Sequence, residues 1–288
     1  MTRVLGLHCV GFIVPDISAA EDFYRRIWAM CPVPVAGPAL YFRSKLADHP
    51  EIMLQPGERR GLQHVAFSVA NEINLRTLLK RVSDAGAVIV DQPGPSDRPG
   101  SDLVAAFLDP QGNRIELVVP SQTGLPPVDA ITPIGPKKLG HVVLWTQNRQ
   151  ALEAFYAHLG FQVTDRTHAG MSFLKCNHDH HTLALVDSQD KRAGTQHTSF
   201  DVGSIDNVMW EFARLRDAGV KCIWGVGRHG PGHNIFSYYH DPAGNVLEFY
   251  GDMDQIPEFT DSEPHYWGPE HKGDIWGIAG RPPPSFTE

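Results

Sequence analysis

The sequence predicts an α+β protein made of two similar domains, each containing two βαβββ units. The chain has 288 residues, which is enough for two domains of ordinary size. Several segments occur twice at a nearly constant spacing, which indicates an internal duplication. Within each copy, short runs of strand character lead into apolar residues at helical spacing, and more strand-like runs follow.

The duplication is clearest at a turn that leads into a strand. The segments 109–116 (DPQGNRIE) and 241–248 (DPAGNVLE) match at an offset of 132 residues (248 − 116). Two further matches keep this register within one residue: Phe23 and Tyr24 with Phe155 and Tyr156, and Gln63 and His64 with Gln196 and His197 (197 − 64 = 133). Three matches in register are hard to obtain by chance, so we infer two homologous halves.

The predicted N-terminal domain spans residues 1–122, and the predicted C-terminal domain spans 137–252. A proline-rich linker, 123–136, joins them, and a tail rich in proline and tryptophan follows at 253–288. Three placements of the tail are open: over the mouth of a pocket, between subunits, or along the surface.

Each unit is predicted to open with a strand that leads into a helix. The opening strands are expected at 4–14, 62–69, 139–146 and 196–202. A segment of capping-box form, Ser18-Ala19-Ala20-Glu21, is expected to begin the first helix. The later helices are expected to stop at glycines, which readily adopt the left-handed conformation that ends a helix. These glycines are Gly86, Gly160 and Gly219.

Composition and charge exclude several classes of function. Apolar residues make up 42% of the chain and charged residues 20%, which is typical of a globular protein. The net charge is −8 and lysine and arginine form no run, so no nucleic-acid partner is expected. No stretch approaches the roughly 20 apolar residues of a membrane span, so no membrane association is expected. The four cysteines are widely spaced and form no CxxC pair, which favours a cytoplasmic location without disulfides.

Histidine is unusually frequent, at 15 residues, and the second half contains a candidate metal site. His141 and His197 occupy equivalent places on the opening strands of two units, and Glu248 lies on a last strand. Two neutral imidazoles and one carboxylate form the facial triad that non-haem Fe(II) oxygenases favour, and Mn(II) accepts the same ligands. The alternative is that all three are buried polar residues bonded to the backbone.

The first half contains only part of this set. His64 and Glu116 are present there, but the position of His141 corresponds to Cys9, and Ala106 stands where the second half has Tyr238. We therefore expect the first half to be a non-catalytic scaffold without a second metal ion.

The predicted architecture of four βαβββ units, paired two and two, resembles that of the vicinal oxygen chelate superfamily. In that superfamily, paired units form a curled mixed sheet around a cavity (a glyoxalase-like fold). The resemblance covers roughly residues 3–252. Four units, the segment 175–185 (KCNHDHHTLAL) and the segment 227–233 (GRHGPGH) resemble the type I extradiol ring-cleavage dioxygenases. Within these, the closest likeness is to catechol 2,3-dioxygenases and 2,3-dihydroxybiphenyl 1,2-dioxygenases.

The resemblance implies an oxidoreductase that cleaves a catechol-type diol with O2 at Fe(II), giving a muconic semialdehyde-type product in aromatic catabolism. It implies that His181 is the catalytic acid–base, and that His229 and Tyr238, nine residues further on (238 − 229), hydrogen-bond the substrate. Alternation along a strand would place only one of His180 and His181 inward, and the family position favours His181. Family analogy also implies a homo-oligomer.

Other histidines receive no role from the resemblance. His178 and His180 are expected to be exposed loop residues. His233 is expected either to support the site or to form the rim of the pocket.

Three alternatives to this activity remain open. The first is a metal-dependent isomerase or lyase of the glyoxalase type, which would not need the group formed by His181, His229 and Tyr238. The second is a non-catalytic binding protein, but such members are typically half this length and lack the triad. The third is a 4-hydroxyphenylpyruvate dioxygenase, for which this chain is short.

Overall fold

The fold was analysed in a computed structural model, which describes residues 2–126, 128, 135–188, 190, 192–257, 259 and 263–286. Much of the predicted linker 123–136 and parts of the tail 253–288 lie outside the described residues. The described part contains two mixed sheets and four α-helices.

An eight-stranded sheet with two α-helices is formed by residues of the first half. The strand order is β2-β3-β4-β1-β5-β8-β7-β6. In chain order, the elements are β1 (Gly6–Val14), α1 (Ile17–Asp22), a π-helical turn (Phe23–Ile27), β2 (Cys31–Val33), β3 (Leu40–Arg43), β4 (Ile52–Pro56), β5 (Gly61–Ser68), α2 (Glu72–Asp84), β6 (Val88–Pro95), β7 (Ser101–Leu108) and β8 (Arg114–Pro120).

A nine-stranded sheet with the other two α-helices follows. Its order is β14-β15-β16-β13-β9-β12-β11-β10-β17. The elements are β9 (Lys138–Thr146), α3 (Arg149–Ala157), β10 (Gln162–Thr167), β11 (Met171–Lys175), β12 (Leu183–Asp187), β13 (Thr195–Gly203), α4 (Ile205–Asp217), β14 (Trp224–Arg228), a 3-10 turn (Pro231–His233), β15 (Ile235–His240), β16 (Val246–Gly251), β17 (His265–Trp267) and a second 3-10 turn (Pro284–Phe286).

The chain thus contains four successive βαβββ units, and the predicted α+β fold is confirmed. Antiparallel pairing of β1 with β5 joins the two units of the first sheet, and pairing of β9 with β13 joins those of the second. Every predicted opening strand exists, with ends that differ by at most two residues. The strand β17 was not predicted, and it extends the second sheet by pairing parallel to β10.

The start of the first helix differs from the prediction. The structure has Asp16, not Ser18, as the N-cap, and its carboxylate accepts a hydrogen bond from the Ala19 amide at 2.9 Å. An N-cap residue needs an extended backbone, which Asp16 has (φ −116°), whereas Ser18 is already inside the helix. The predicted glycine stops are confirmed, because Gly86, Gly160 and Gly219 all have a positive φ two or three residues after the helix ends.

The two halves share one apolar core. Trp28 of the first half stacks on Phe249 of the second, with ring centroids 3.8 Å apart. Two buried hydrogen bonds cross between the halves in a reciprocal way. Tyr24 donates to Asp241 (3.1 Å), and the equivalent Tyr156 donates to Asp109 (3.0 Å). The repeated residues therefore hold each half against the other.

Among the helices that the structure describes, none combines the length and apolar character that crossing a bilayer requires.

Candidate metal centre

One row of side chains crosses the second sheet at the candidate site. In the strand register, His141 on β9 lies opposite Ser199 on β13, and Ser199 lies opposite Glu248 on β16. Glu248 in turn lies opposite Tyr238 on β15. His197 is two residues before Ser199 on β13, so its side chain points to the same face of the sheet. The register alone therefore groups these five residues.

The three predicted metal ligands come together in this row. The Nε2 atoms of His141 and His197 lie 3.1 Å and 3.4 Å from Oε2 of Glu248. All three side chains are buried, and one ligand atom from each lies within 4.8 Å of the others. This grouping is compact enough to hold one metal ion.

The protonation states of His197 and Glu248 fit a divalent cation. Burial lowers the pKa of His197, so its imidazole is neutral near pH 7. Burial raises the pKa of Glu248, but its interactions with the neighbouring imidazoles of His141 and His197 outweigh it and hold that pKa well below the usual range. Nδ1 of His197 donates to Gln196 Oε1 at 2.7 Å, and among the described residues its Nε2 has no hydrogen-bond partner. Neutral imidazoles and an ionised carboxylate are the forms that bind metal.

Ser199 is a member of this group that sequence analysis missed. Its Oγ lies 2.8 Å from His141 Nε2 and donates a short hydrogen bond to Glu248 Oε2. The residue in the equivalent position of the first half is Ala66, which lies opposite Cys9 and Glu116. The spacing of two residues after His197 was the available signal, because it places Ser199 on the inward face.

His229 and Tyr238 form a hydrogen-bonded pair beside Glu248. The Tyr238 hydroxyl lies 2.9 Å from His229 Nε2, which is 3.8 Å from Glu248 Oε1. Nδ1 of His229 donates to the Gly273 carbonyl at 2.8 Å, so Nε2 accepts from Tyr238. Burial lowers the pKa of His229 to about 4 and, together with the charge of Glu248, raises that of Tyr238 well above its ordinary value. The pair is therefore a neutral imidazole and an intact phenol.

His181 lies next to the same centre. Its ring centroid is 4.2 Å from that of His141 and 5.0 Å from that of Phe173. Burial is the main cause that lowers the pKa of His181 well below its ordinary value, so the ring is neutral. The structure thus brings all six predicted site residues into one neighbourhood.

The expectation that His180 is exposed is wrong. Both His180 and His181 are buried, at 4% and 3% exposure, whereas His178 is exposed as expected. The alternation argument failed because both residues precede β12 and lie in irregular backbone, where successive side chains need not point to opposite faces. His233 lies at the surface with nearly half of its side chain exposed, and its Nδ1 is 2.6 Å from Asp254.

In the first half, an arginine lies beside Glu116 and His64, the counterparts of Glu248 and His197. Arg98 donates two hydrogen bonds to Glu116, one of them 2.9 Å long, and its Nη1 lies 3.5 Å from His64 Nε2. Burial raises the pKa of Glu116, but the guanidinium outweighs it and brings that pKa to about 2. In the strand register, Cys9 has the place of His141 and Ala106 that of Tyr238.

Known proteins share this fold and much of this sequence. The model of the Glyoxalase/Bleomycin resistance protein/Dioxygenase superfamily matches residues 138–249. Metapyrocatechase 2 of Cupriavidus necator is 30% identical over 244 residues, which cover 74% of each chain. The chain belongs to the extradiol dioxygenases of this superfamily. Biphenyl-2,3-diol 1,2-dioxygenase of Paraburkholderia xenovorans (strain LB400) is 28% identical over 265 residues, covering 85% of this extradiol dioxygenase and 87% of that protein.

Solved structures agree with the fold. The Mn(II)-bound glyoxalase from Novosphingobium aromaticivorans superimposes with a TM-score of 0.90 at 28% identity, over 100% of this chain and 95% of that one. The 2,3-dioxygenase LapB from Pseudomonas sp. KL28 has a TM-score of 0.83 at 23% identity, over 93% of this chain and 98% of that one, and shows the shared fold. The family predicted from the sequence is therefore confirmed.

Proposed function

We propose that this extradiol dioxygenase cleaves a catechol-type diol with O2 at Fe(II) bound by His141, His197 and Glu248. The observation that supports this most directly is the convergence of two imidazole nitrogens and one carboxylate oxygen within 4.8 Å. The names of the relatives, metapyrocatechase and biphenyl-2,3-diol 1,2-dioxygenase, support an aromatic diol as the substrate. The expected product is a muconic semialdehyde.

A redox-active ion held by three protein ligands retains free coordination positions where a diol and O2 can meet. The surrounding residues provide the proton transfers and the orientation. His181 is neutral and buried beside His141, so it can accept a proton from the diol. An imidazole that has taken this proton can later return it to a substrate oxygen.

His229 and Tyr238 are proposed to orient the substrate. In the absence of substrate, the Tyr238 hydroxyl donates a hydrogen bond to Nε2 of His229, and Nδ1 of His229 donates to the Gly273 carbonyl. A substrate oxygen near the pair can receive the phenolic hydrogen bond instead, at little cost, because the side chains are already positioned.

The first half is proposed to be a scaffold, with the Arg98 guanidinium taking the place that a cation would have beside Glu116. Fe(II) is the proposed ion, Mn(II) accepts the same ligand set, and the availability of each metal often decides which one is bound. A homo-oligomer stays a prediction.

The function is tested by O2 uptake and product absorbance with catechol, methylcatechols and 2,3-dihydroxybiphenyl. The protein is reconstituted without oxygen with Fe(II), and separately with Mn(II). We expect equal consumption of O2 and diol with formation of a yellow product. If metal analysis confirms bound iron and no diol in the panel supports O2 uptake, the proposal is wrong.

The metal ligands are tested by the same substitution in both halves. His197→Gln should lose the metal and activity, whereas His64→Gln, its first-half counterpart, should keep both. Elemental analysis after gel filtration measures the metal content. Equal metal content in the two variants would contradict the role of His197.

His181→Phe should retain iron and lose turnover by about 10²-fold or more, because the variant keeps the ligands and lacks the proton acceptor. Single-turnover cleavage rates at saturating diol measure this effect. Tyr238→Phe keeps His181 as the proton acceptor and should therefore slow cleavage less than His181→Phe does. Unchanged turnover in His181→Phe would remove this residue from the mechanism.

A second activity has one specific observation in its favour. The superimposed Mn(II)-bound protein, 28% identical to this chain, is described as a glyoxalase. An isomerase of that type would turn over an α-ketoaldehyde adduct without consuming O2. Product formation under strictly anaerobic conditions would favour this alternative.

A further inference from the structure

His181 has a buried neighbour that the proposed mechanism does not use. Nδ1 of His181 lies 3.1 Å from Nδ1 of His180. The other nitrogen of His180, Nε2, is 3.3 Å from Oδ1 of Asp165. Asp165 also accepts a hydrogen bond from the indole of Trp267 to Oδ2, at 2.6 Å. A continuous polar chain thus runs from Trp267 to His181.

The chemistry of these groups sets the direction of the hydrogen bonds. Burial raises the pKa of Asp165, but the hydrogen bond with His180 outweighs it, so the carboxyl is ionised and can only accept. Nε2 of His180 therefore carries a proton. In the neutral ring, Nδ1 then has a lone pair and can only accept from Nδ1–H of His181. The remaining nitrogen of His181, Nε2, is left with its lone pair.

We propose that Asp165 and His180 are positioning residues that hold His181 in the tautomer protonated on Nδ1. This inference rests on the proposed role of His181 and adds which of its atoms reacts. The diol O–H bond breaks as the proton moves to Nε2, while the proton on Nδ1 stays in place. The bond from Nδ1 to His180 strengthens as His181 becomes positive, because a charged donor makes a stronger hydrogen bond.

This arrangement also gives a part of the C-terminal tail a role. Trp267 lies on β17, which pairs with β10, and the register places Asp165 opposite His265. The backbone of His180 is held as well, because its amide donates to the carbonyl of Asp254 at 2.9 Å. The segment after β16 thus restrains both Asp165 and His180, although no residue from it is a predicted metal ligand.

The tautomer can be measured without turnover. In the full chain loaded with diamagnetic Zn(II) and labelled with 15N-histidine, long-range 1H–15N spectra distinguish a protonated from an unprotonated ring nitrogen. We expect His181 to be protonated on Nδ1 in the wild type. His180→Leu, which removes the acceptor, should populate both tautomers. Wild-type protein protonated on Nε2 of His181 would overturn the proposal.

The kinetics of a matched set of variants distinguish a positioning role of His180 from an effect on folding. His180→Leu should lower kcat about 10-fold or more with little change in KM, whereas His180→Asn, whose amide oxygen can occupy the place of Nδ1, should recover most of the loss. Trp267→Phe removes the indole N–H that Asp165 accepts, together with part of the ring, but leaves His180 in place, and it should show a smaller loss. The control His178→Leu changes an exposed residue of the same segment and should behave as wild type.

The outcomes separate this inference from the proposed function. If the wild type cleaves diols and His180→Leu does so equally well, the positioning role is wrong and the proposed function stands. If the wild type shows the expected tautomer but cleaves no diol, the proposed function is wrong and the hydrogen-bond chain stands as a structural feature. If His180→Leu does not fold, His180→Asn and Trp267→Phe decide through their spectra.

Discussion

The Ser199 hydroxyl donates a hydrogen bond to one candidate metal ligand, Glu248, and lies 2.8 Å from Nε2 of another, His141. Groups that orient metal ligands in this way commonly change metal affinity by 10–100-fold when they are removed. The Ser199 hydroxyl hydrogen-bonds one lone pair of the Glu248 carboxylate, and the other lone pairs of that carboxylate can bind the ion. Ser199 therefore belongs to the metal centre although it is not a predicted ligand.

Ser199→Ala should weaken metal binding by about 10-fold, because Glu248 loses the donor that orients it. Competition with a calibrated chelator measures the dissociation constant. Ser237→Ala, which changes a buried serine on β15, is the control and should retain wild-type affinity. Equal affinities in the two variants would show that the Ser199 hydroxyl does not support the site.

At the level of single residues, the sequence indicated which side chains meet at the candidate site better than which residues support them. His141, His197 and Glu248 were found because they occupy repeat-related positions on strands. Ser199 and Asp165 were missed because their partners come from distant parts of the chain, and such contacts are not visible in one sequence. His180 was misplaced for the same reason, since its burial depends on Asp165 and the segment after β16.

The connection between β6 and β7 shows how one element changed between the halves. In the first half it contributes Arg98 to Glu116, while in the second half the connection between β14 and β15 brings His229 to within 3.8 Å of Glu248. The surrounding strands keep the same register in both halves. In addition to the exchange of His141 for Cys9, the halves thus differ in the loop residue beside the carboxylate, which is a guanidinium at Glu116 and an imidazole at Glu248.

Arg98→Met should destabilise the protein by about 3 kcal/mol, because it leaves the buried Glu116 carboxylate short of a counter-charge. Urea unfolding followed by circular dichroism measures the loss. The double variant Arg98→Met, Glu116→Gln removes the charge as well and should recover much of the stability. A double variant no more stable than Arg98→Met would contradict this explanation.

Elements with a local pattern were predicted, and those that depend on distant partners were not. The four helices and their opening strands follow from apolar spacing and glycine stops. The strand β17 has only three residues and forms by pairing with β10, about a hundred residues earlier in the chain (265 − 165 = 100), so no local pattern marks it. The cap of α1 was misassigned because the Ser18 segment has capping-box form, but Asp16 already fills that role.

For the molecule as a whole, burial of histidine couples stability to pH. Burial lowers the pKa of six of the described histidines, which are His8, His64, His181, His197, His229 and His271. Each is neutral in the folded state at a pH where the unfolded chain binds a proton. Their contribution is therefore complete above the unfolded pKa of about 6.5 and is lost as pH falls below it.

The metal-free protein should lose stability steeply between pH 6.5 and 5, by at most about 1.4 kcal/mol per pH unit for each histidine that stays neutral. The free energy of unfolding in urea at pH 7.5, 6.5 and 5.5 measures this slope. His64→Gln, outside the metal centre, should make the slope shallower. A free energy of unfolding that does not change between pH 7.5 and 5.5 would contradict the conclusion that these histidines are neutral in the folded protein.

The reciprocal bonds between the halves predict matched effects. Tyr24→Phe and Tyr156→Phe should each cost about 1.5–3 kcal/mol, because each removes a buried hydrogen bond to a carboxylate. The two variants should also unfold in a single transition, since the apolar core spans both halves. Urea unfolding followed by far-UV circular dichroism and by tryptophan fluorescence measures both properties. Separate transitions for the two signals would show that the halves unfold independently.

The overall architecture followed from the duplication, because four similar units limit the ways in which strands can pair. The relation between the halves did not, since the sequence shows that Tyr24, Tyr156, Asp109 and Asp241 recur but not that each tyrosine reaches the other copy. Contacts between the two halves can be predicted only when the three-dimensional placement of both is known.

The crossed tyrosine–aspartate bonds have a consequence for the origin of the chain. A half-length ancestor that associated as a two-fold homodimer would have formed the same bond twice, because symmetry repeats every contact. Gene fusion would then have preserved an existing subunit interface. After fusion, the first half could exchange a histidine for Cys9 and gain Arg98. Its tyrosine and aspartate would still have been needed for the hydrogen bonds to the second half.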